Sequence, residues 1–510
     1  MLFVQAFIHK LEAGGGMRLI RAGLVGLTLL AIPLLYNWRA FRNLASQEAM
    51  DEAQLARNIA RGKGYSTLFI RPFSIYLLKK RAQEKQMPGE DAGRLKGMHP
   101  DLANPPLYPL ALAALMKVVP FDYTIPARPK GFWGNNNRFW RYKPDFFIAV
   151  FNQLLFFTVI ALVFLLARRL FDAAVAWLSA VLLLGTELFW RFTVSGLSTM
   201  LLLLIFTGLV WCLVLLEREA REPERRQVSL LGLAVLVGIL VGLGGLTRYA
   251  FGWLIIPVLI FLVLFSGPQR ILVALVALVA FAAVMAPWLA RNYNLSGAPF
   301  GTAGFSVLET TFLFPENRLQ RSLEPDLNRY QHLTIFWVKL VVNARQILQN
   351  DVPRLGGSWV SAFFLVGLLV GFRNPALRRL RIFLLLSLVV LGVVQALGRT
   401  QLSEESPDLN SENLLVLLAP FVLVYGVSLF FLLLDQIELQ VLELRYLVTG
   451  LFGVVACLPL IFTFLPPATE PVVYPPYFPP VIQTVGSWLK EEELTMSDVP
   501  WAMAWYGQRQ

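Results

Sequence analysis

Apolar residues fall along this chain in blocks close to the roughly 17–25 residues that a helix needs to cross the hydrocarbon core of a bilayer. The blocks are Ala22 to Trp38, Phe146 to Ala167, Ala173 to Phe189, Leu197 to Leu216, Val228 to Thr247, Tyr249 to Phe265, Ile271 to Leu289, Gly356 to Phe372, Ile382 to Leu397, Leu414 to Leu434 and Tyr446 to Leu465. They predict an all-α polytopic membrane protein with about eleven spans. The expected divisions are an N-terminal segment over 1–21, a transmembrane domain over 22–465 and an extramembrane tail over 466–510. No small-residue cleavage site follows the first block, which continues into Tyr36, Trp38 and Arg39, so it reads as a retained span rather than a signal peptide.

Between the blocks, charge sets orientation, because lysine and arginine in short loops mark the cytoplasmic side. One side carries Lys10, Arg18 and Arg21, then Arg168 and Arg169, Arg218, Arg221, Arg225 and Arg226, Arg270, Arg373, Arg378, Arg379 and Arg381, and Arg445. The short loops of the other side carry Arg191, Arg248 and Arg399. This places the N-terminus in the cytoplasm and the C-terminus outside it. Pro105 to Pro120 is apolar but short, and as a span it would invert every later loop, so it reads as a juxtamembrane helix. Two long loops, 39–145 and 290–355, and the tail then share the outer face. Loops of this length are usually functional or disordered. The tail opens with a proline-rich linker, Pro466 to Pro480, expected to be extended; a helix is expected over Val481 to Glu493.

Composition agrees: 56% of the 510 residues are hydrophobic and 15% charged, against 45–50% apolar in ordinary soluble domains. A net charge of +12 would suggest nucleic acid in a soluble protein. Here the arginines beside the spans account for it as topology and lipid-phosphate contacts, and no nucleic-acid partner is expected. Cys212 and Cys457 both lie inside apolar blocks and offer no disulfide framework, and His9, His99 and His332 are scattered without metal-ligand spacing.

The first long loop opens with Ser46-Gln-Glu-Ala-Met-Asp51-Glu52 and continues to Arg61-Gly-Lys-Gly64, with Ala49, Ala53, Ala56 and Ala60 at helical spacing. This predicts a helix lying on the membrane, with Asp51 and Glu52 in its first turns. Acidic residues favour helix N-termini for electrostatic reasons alone, so spacing leaves a purely structural role open. Arg71, Lys79, Lys80 and Arg81, interleaved with Phe73, Ile75, Tyr76 and Leu77, read as an amphipathic helix touching headgroups. Arg248 and Arg291 sit at the outer ends of spans, where arginine either snorkels to headgroups or holds a phosphate with its planar fork. Glu187, at an outer span end, is an acid close to membrane depth and a functional candidate on that ground.

Several short motifs occur in an order that resembles the GT-C glycosyltransferases. These are the acidic pair after the first span, the Ala-x-x-Ile-x-x-Gly-x-Gly helix, Asn104-Pro-Pro-Leu-Tyr-Pro109, Gly196-Leu-Ser198, Leu246-Thr-Arg-Tyr249 after a glycine-rich span, and Pro287-Trp-x-x-Arg-Asn292. The resemblance covers about residues 20 to 300 and is nearest to bacterial dolichyl-phosphate-mannose-type and lipid-A-type sugar transferases. It implies a polyprenyl-phosphate-linked sugar donor, a glycan, lipid or protein acceptor, and an extracytoplasmic active face in a bacterial inner membrane. It places the catalytic base at Asp51, beside Glu52. In such a reaction a carboxylate takes the acceptor's proton while cations hold the departing phosphate; a single displacement inverts the anomeric centre. Arg248 and Arg291 are the expected phosphate ligands, and His99, Asn104, Tyr108, Glu187, Tyr249 and Asn292 the candidate substrate contacts.

The sequence departs from the family pattern in two places. Gly196-Leu-Ser-Thr199 lacks the acid that often follows in relatives, which leaves a divalent cation without a clear ligand set. Asn410-Ser-Glu-Asn413 stands where many relatives carry an Arg-Tyr pair at the start of the tenth span. The closing stretch from Ser497 to Gln510 resembles the start of a small soluble domain that some relatives carry. A transporter or flippase of lipid-linked saccharides is the alternative reading, although transporters are typically built from repeated halves with binding sites at broken mid-membrane helices.

Overall fold

A computed structural model describes residues 15–44, 46–86, 95–126, 131–135, 139–222, 227–327, 333–356, 359–368, 370, 374–405, 409–437, 442–465, 478–490 and 493–510. His9, Lys10, Arg225, Arg226, His332, Arg373 and most of the proline-rich linker lie outside the described residues, as do the side chains of Arg18 and Arg21.

The helices are α1 (Gly15–Ala40), α2 (Gln47–Ala60), α3 (Pro72–Glu84), α4 (Leu107–Val118), α5 (Lys143–Leu170), α6 (Ala173–Gly185), α7 (Glu187–Ser195), α8 (Thr199–Arg221) and α9 (Gln227–Thr247). They continue with α10 (Ile255–Phe265), α11 (Arg270–Ser296), α12 (Leu333–Gln346), α13 (Trp359–Gly367), α14 (Pro375–Gly398), α15 (Ala419–Gln436), α16 (Leu442–Phe464) and α17 (Pro479–Trp488). Two short antiparallel pairs complete the first long loop: β1 (Ser66–Thr67) with β2 (His99–Pro100), and β3 (Gly134–Asn135) with β4 (Phe139–Trp140). The chain is an integral, multi-pass, all-α membrane protein. In lipid the backbone must satisfy its own polar groups, which is why the apolar blocks become helices.

The expected eleven spans resolve, among the described residues, into eight helices long and apolar enough to cross a membrane, or nine if one bent pair counts as a single span. Two expected spans account for the difference. The Tyr249 to Phe265 block begins as a 3₁₀ turn over Tyr249–Leu254 and becomes α-helical only in α10. In the Gly356 to Phe372 block, described in part, α13 runs for 9 residues. The bent pair is α6 and α7, which meet at 52°. Thr186 between them is extended. Polar side chains take up carbonyls near the break: Thr186 Oγ1 donates to Leu182 O at 2.6 Å and Trp190 Nε1 to Leu184 O at 2.7 Å.

The span Leu414–Gln436, a 3₁₀ turn running into α15, is the most buried, 94% inside over its most apolar stretch, whereas the spans of α1 (11%) and α16 (17%) ride on the outside and pack against each other. α9 lies along both α8 and α11. Gly238 permits the second contact: a Cβ there would stand 2.1 Å from Ala277 O. Small residues at a helix crossing let two backbones approach in lipid, and the glycine-rich span serves this purpose.

The arginine-rich ends of α8 and α14 meet at a buried carboxylate, Glu217, which accepts from Arg379 NH1 at 2.6 Å and Arg221 Nε at 2.7 Å. The long loops gather with the tail: α2 packs against α4 and against 500–507, and α3 against α11. The α2 region is therefore buried rather than lying on a membrane surface, with every residue from Ala49 to Asn58 inside the protein. Ser46 caps α2 by accepting from Ala49 N at 3.2 Å. The expected juxtamembrane helix is α4. The tail helix starts at Pro479 and stops at Trp488, short of the expected Glu493.

Candidate active site

A cavity of about 1850 Å³ opens beside α2. One wall is apolar, from Phe281, Met285, Val389, Val393 and Leu397 on α11 and α14, with Trp253 and Ile256. The other is polar and carries Glu48, Glu52, Arg71, Asn104, Arg248, Glu309, Arg321 and Glu412. Residues 495–498, 500, 501 and 510 of the tail close one side.

The acid-bearing turn of α2 is the centre of the polar wall. Asp51 is fully buried and its carboxylate is saturated: Oδ2 takes Arg71 NH2 and Asn104 Nδ2, and Oδ1 takes Gln54 Nε2 at 3.2 Å. Arg71 forks to a second acid, Asp101, at 3.2 Å. Burial pushes Asp101 up to about 6 despite Arg71, with Asp51 adding to the rise. The two acids in turn raise Arg71 above its ordinary value, against burial. Arg71, read from the sequence as part of a headgroup-facing helix, is instead the cation that holds these two acids. Its guanidinium also lies over the Phe69 ring at 4.3 Å. Lys79 and Lys80 do face outward.

Glu52 stands next to Asp51 and differs from it in every respect that matters. Its Oε2 is buried without a hydrogen-bond partner, and its carboxyl lines the cavity. Burial raises it well above the ordinary carboxylate range, Glu48, Asp51 and Asp101 add to this, and Arg248 opposes it. A buried polar atom without a partner is costly.

Arg248 extends from the end of α9 to Glu48 at 3.4 Å and to Ser411 Oγ, which itself donates to Glu48. Ser411 belongs to the Asn410-Ser-Glu-Asn413 stretch that departs from the family pattern. The next residue, Glu412, accepts from Thr400 N at 3.0 Å and Thr400 Oγ1 at 2.6 Å.

The expected site residues divide into three groups. Glu52, Asn104, Arg248 and Tyr249 line the cavity. Asp51, Arg291 and Asn292 stand behind its wall. Arg291 donates to Asp101 O at 2.9 Å and Asn292 Oδ1 at 2.8 Å and lies over Trp288, while Asn292 donates to Tyr249 OH at 3.0 Å. His99, Tyr108 and Glu187 lie elsewhere. His99 pairs with Thr67 in the small sheet and its Nε2 is 3.1 Å from Leu95 O. Tyr108 OH donates to Gly196 O at 2.9 Å in the core, where Gly196, at φ +80, brings the backbone against Leu44 and Ala49. Glu187 opens α7, on the far side of the kink. Sequence reading missed Glu48, Arg71, Asp101, Glu309, Arg321, Glu412 and the tail. Among the described residues no group of three His, Cys, Asp or Glu side chains is placed to hold a metal ion.

Comparison with solved structures decides the fold. An oligosaccharyltransferase of Archaeoglobus fulgidus, in complex with Zn and sulfate, superposes with a TM-score of 0.52 at 12% identity over 90% of this chain. ArnT from Cupriavidus metallidurans, bound to undecaprenyl phosphate, gives 0.52 at 11% identity over 96%. The fold is GT-C-like. The GT-C-like chain spans 55% of the length of the archaeal enzyme and 85% of ArnT. A family model described as dolichyl-phosphate-mannose-protein mannosyltransferase matches residues 142–290, from the start of α5 into α11. No curated protein matches the chain.

Proposed function

We propose that the protein transfers a sugar from a polyprenyl-phosphate donor to a hydroxyl or amine of an acceptor, on the outer face of a bacterial inner membrane. The observation that carries this reading is the two-sided cavity: an apolar wall of α11 and α14 suited to a lipid chain, meeting a wall where cations and carboxylates converge. The partial match to a mannosyltransferase family and the likeness to ArnT, whose structure holds undecaprenyl phosphate, support the donor class.

In the proposed reaction the acceptor oxygen or nitrogen forms a bond to the anomeric carbon and the bond from that carbon to the phosphate oxygen breaks. The acceptor's proton passes to a carboxylate and polyprenyl phosphate departs with the electron pair. One displacement inverts the anomeric centre. Arg248 and Arg71, both on the cavity, receive the growing phosphate charge. Asp51 is the proposed base. Arg71 pairs with Asp51 and lines the cavity, so a phosphate that draws the guanidinium away leaves a carboxylate oxygen open to accept a proton. Glu52, on the cavity wall, contacts the acceptor beside it. Tyr249 and Asn104 complete the donor-facing wall, with Arg291 and Asn292 holding them from behind.

The test is transfer by purified protein from a panel of labelled polyprenyl-phosphate sugars, beside Asp51→Asn and Glu52→Gln. Activity in the parent that collapses in Asp51→Asn with donor binding retained supports the reading. Donor binding without transfer or hydrolysis across the panel refutes it in favour of transport.

A further inference from the structure

The 493–510 tail is bound into the first long loop by a buried cation that donates to backbone carbonyls. Arg57, on α2, is 1% exposed. Its NH1 and NH2 donate to Trp505 O and Ala504 O, each at 2.6 Å. The guanidinium also lies 5.1 Å from the Trp505 ring and 5.6 Å from Tyr123. The carbonyls belong to a π-helical turn, Met503–Gly507, and free carbonyls at a helix end carry partial negative charge that a cation satisfies. Burial of this arginine lowers it to about 10.

Other contacts fix the same turn. Trp505 Nε1 and Tyr506 OH donate to the two oxygens of Asp145 at 2.8 and 2.7 Å. Gly486 of α17 packs so closely that a Cβ there would lie 2.6 Å from Gly507 O. Beyond the turn, Arg61 NH1 donates to Gln508 Oε1 at 2.9 Å, and Gln510 Nε2 donates to Leu95 O at 2.9 Å. The consequence lies on the other side of the tail, where Thr495, Ser497, Asp498 and Trp501 form part of the cavity wall.

We infer that Arg57 is a positioning residue that seats the tail as a fixed polar wall of the cavity, and that this wall bounds the space of the acceptor. The inference rests on the transferase reading in its second half alone. A lipid donor is matched by the apolar wall of α11 and α14, so the hydroxyl, carboxylate and indole groups of the tail face the polar substrate. The wall excludes water from the reacting carbon and orients the acceptor against Glu52.

The test uses full-length protein in nanodiscs, carrying Cys212→Ala, Cys457→Ala and Ala303→Cys, since Ala303 lines the same cavity. Hydrogen exchange of 500–507 and the labelling rate of the new thiol with a bulky water-soluble maleimide are measured in the parent, Arg57→Ala, Arg57→Lys and Trp505→Ala. Trp505→Ala leaves α2 untouched and covers the case in which Arg57→Ala fails to fold. Release of the tail is expected to raise both rates about tenfold or more in the two alanine variants, as for local opening of a cooperative unit, with Arg57→Lys in between. Donor affinity should stay within about twofold while the ratio of transfer to donor hydrolysis falls about tenfold, the mark of a lost acceptor wall rather than a lost donor site. A tail that stays protected in both alanine variants overturns the positioning role, and a freed tail with unchanged labelling overturns the wall. A parent that neither transfers nor hydrolyses donor sinks the transferase reading, while exchange and labelling still decide whether Arg57 seats a wall.

Discussion

Two buried clusters of acid and arginine lie at separate places in this bundle, and they are built differently. At the arginine-rich ends of α8 and α14, Glu217 is 2% exposed and both oxygens are bonded, Oε1 by Arg379 and Arg221 and Oε2 by Arg221 at 3.1 Å. At the cavity, Asp51 is equally saturated, but its neighbour Glu52 keeps a buried oxygen without a partner. Arg71 and Arg248 there also face open space on the cavity wall. A cluster saturated by protein partners alone ties helices together and has nothing left for a ligand. One whose arginines line a cavity can exchange a protein partner for a substrate. The difference separates a structural ion network from a candidate site without recourse to which residues are charged.

The largest expected effect breaks the comparison at its functional side. Asp51→Asn keeps the side chain's size but loses the charge that Arg71 pairs with and cannot take a proton, so stability should fall by about 3 kcal/mol and transfer by the folded protein roughly 10²–10⁴-fold, the usual worth of a general base. Donor binding, measured by a labelled polyprenyl phosphate, should be unchanged. A parent-like rate in this variant would assign the proton to Glu52 or to solvent. The counterpart is Glu217→Gln, which leaves two arginines at a buried position. Removing one member of a buried pair costs about 3 kcal/mol, so the unfolding midpoint should drop while the transfer rate of folded protein does not. Loss of transfer with stability intact would show that the two clusters are coupled.

The membrane fold was legible because lipid leaves so few solutions: an apolar block of sufficient length becomes a helix, and eight of the expected blocks do so without a break. What the pattern could not show was the internal form of a block. Tyr249–Leu254 is apolar enough to span yet winds as 3₁₀, and Gly185-Thr186 breaks a continuous run because side chains take up carbonyls beside the gap. For the candidate site, the span end pointed to Arg248, which lines the cavity, but also to Glu187, which does not. Arg71 was not legible. It sits 20 residues after Asp51 in a stretch that alternates cations with aromatics, and only the folded loop brings it to the acids. Tyr108 shows the reverse: a motif position expected as a substrate contact is hydrogen-bonded in the core, off the cavity. The tail was illegible for the same reason as Arg71, because its partners Arg57 and Asp145 lie more than 350 residues away in sequence.

A third measurement sharpens the contrast through protons. Glu309, on the second long loop, lines the cavity and burial raises it to about 7, against the hydrogen bond from Gln320 at 2.6 Å. The folded carboxyl therefore keeps a proton that the unfolded chain releases near 4.5. Its contribution to stability is fully present below that lower value and is lost as pH rises through about 7. Glu309→Gln should flatten the fall in melting temperature between about pH 5 and pH 8, with a difference on the order of 2 kcal/mol across the interval. An unchanged slope in the variant would place the titrating group elsewhere.

The smallest effect distinguishes a cation on the wall from one behind it. Arg248 lines the cavity and spends one nitrogen on Glu48 and Ser411; Arg291 also spends one nitrogen, on Asp101 O and Asn292, but stands behind the wall and stacks on Trp288. Lysine keeps the charge of either but loses the planar fork. Arg248→Lys should weaken donor binding about tenfold, because a bidentate phosphate contact becomes a point charge. Arg291→Lys should change donor affinity by no more than about twofold, since Arg291 is not on the cavity wall. Equal losses at the two positions would mean that the donor phosphate reaches past the wall, and that Arg291 turns from Asp101 to meet it.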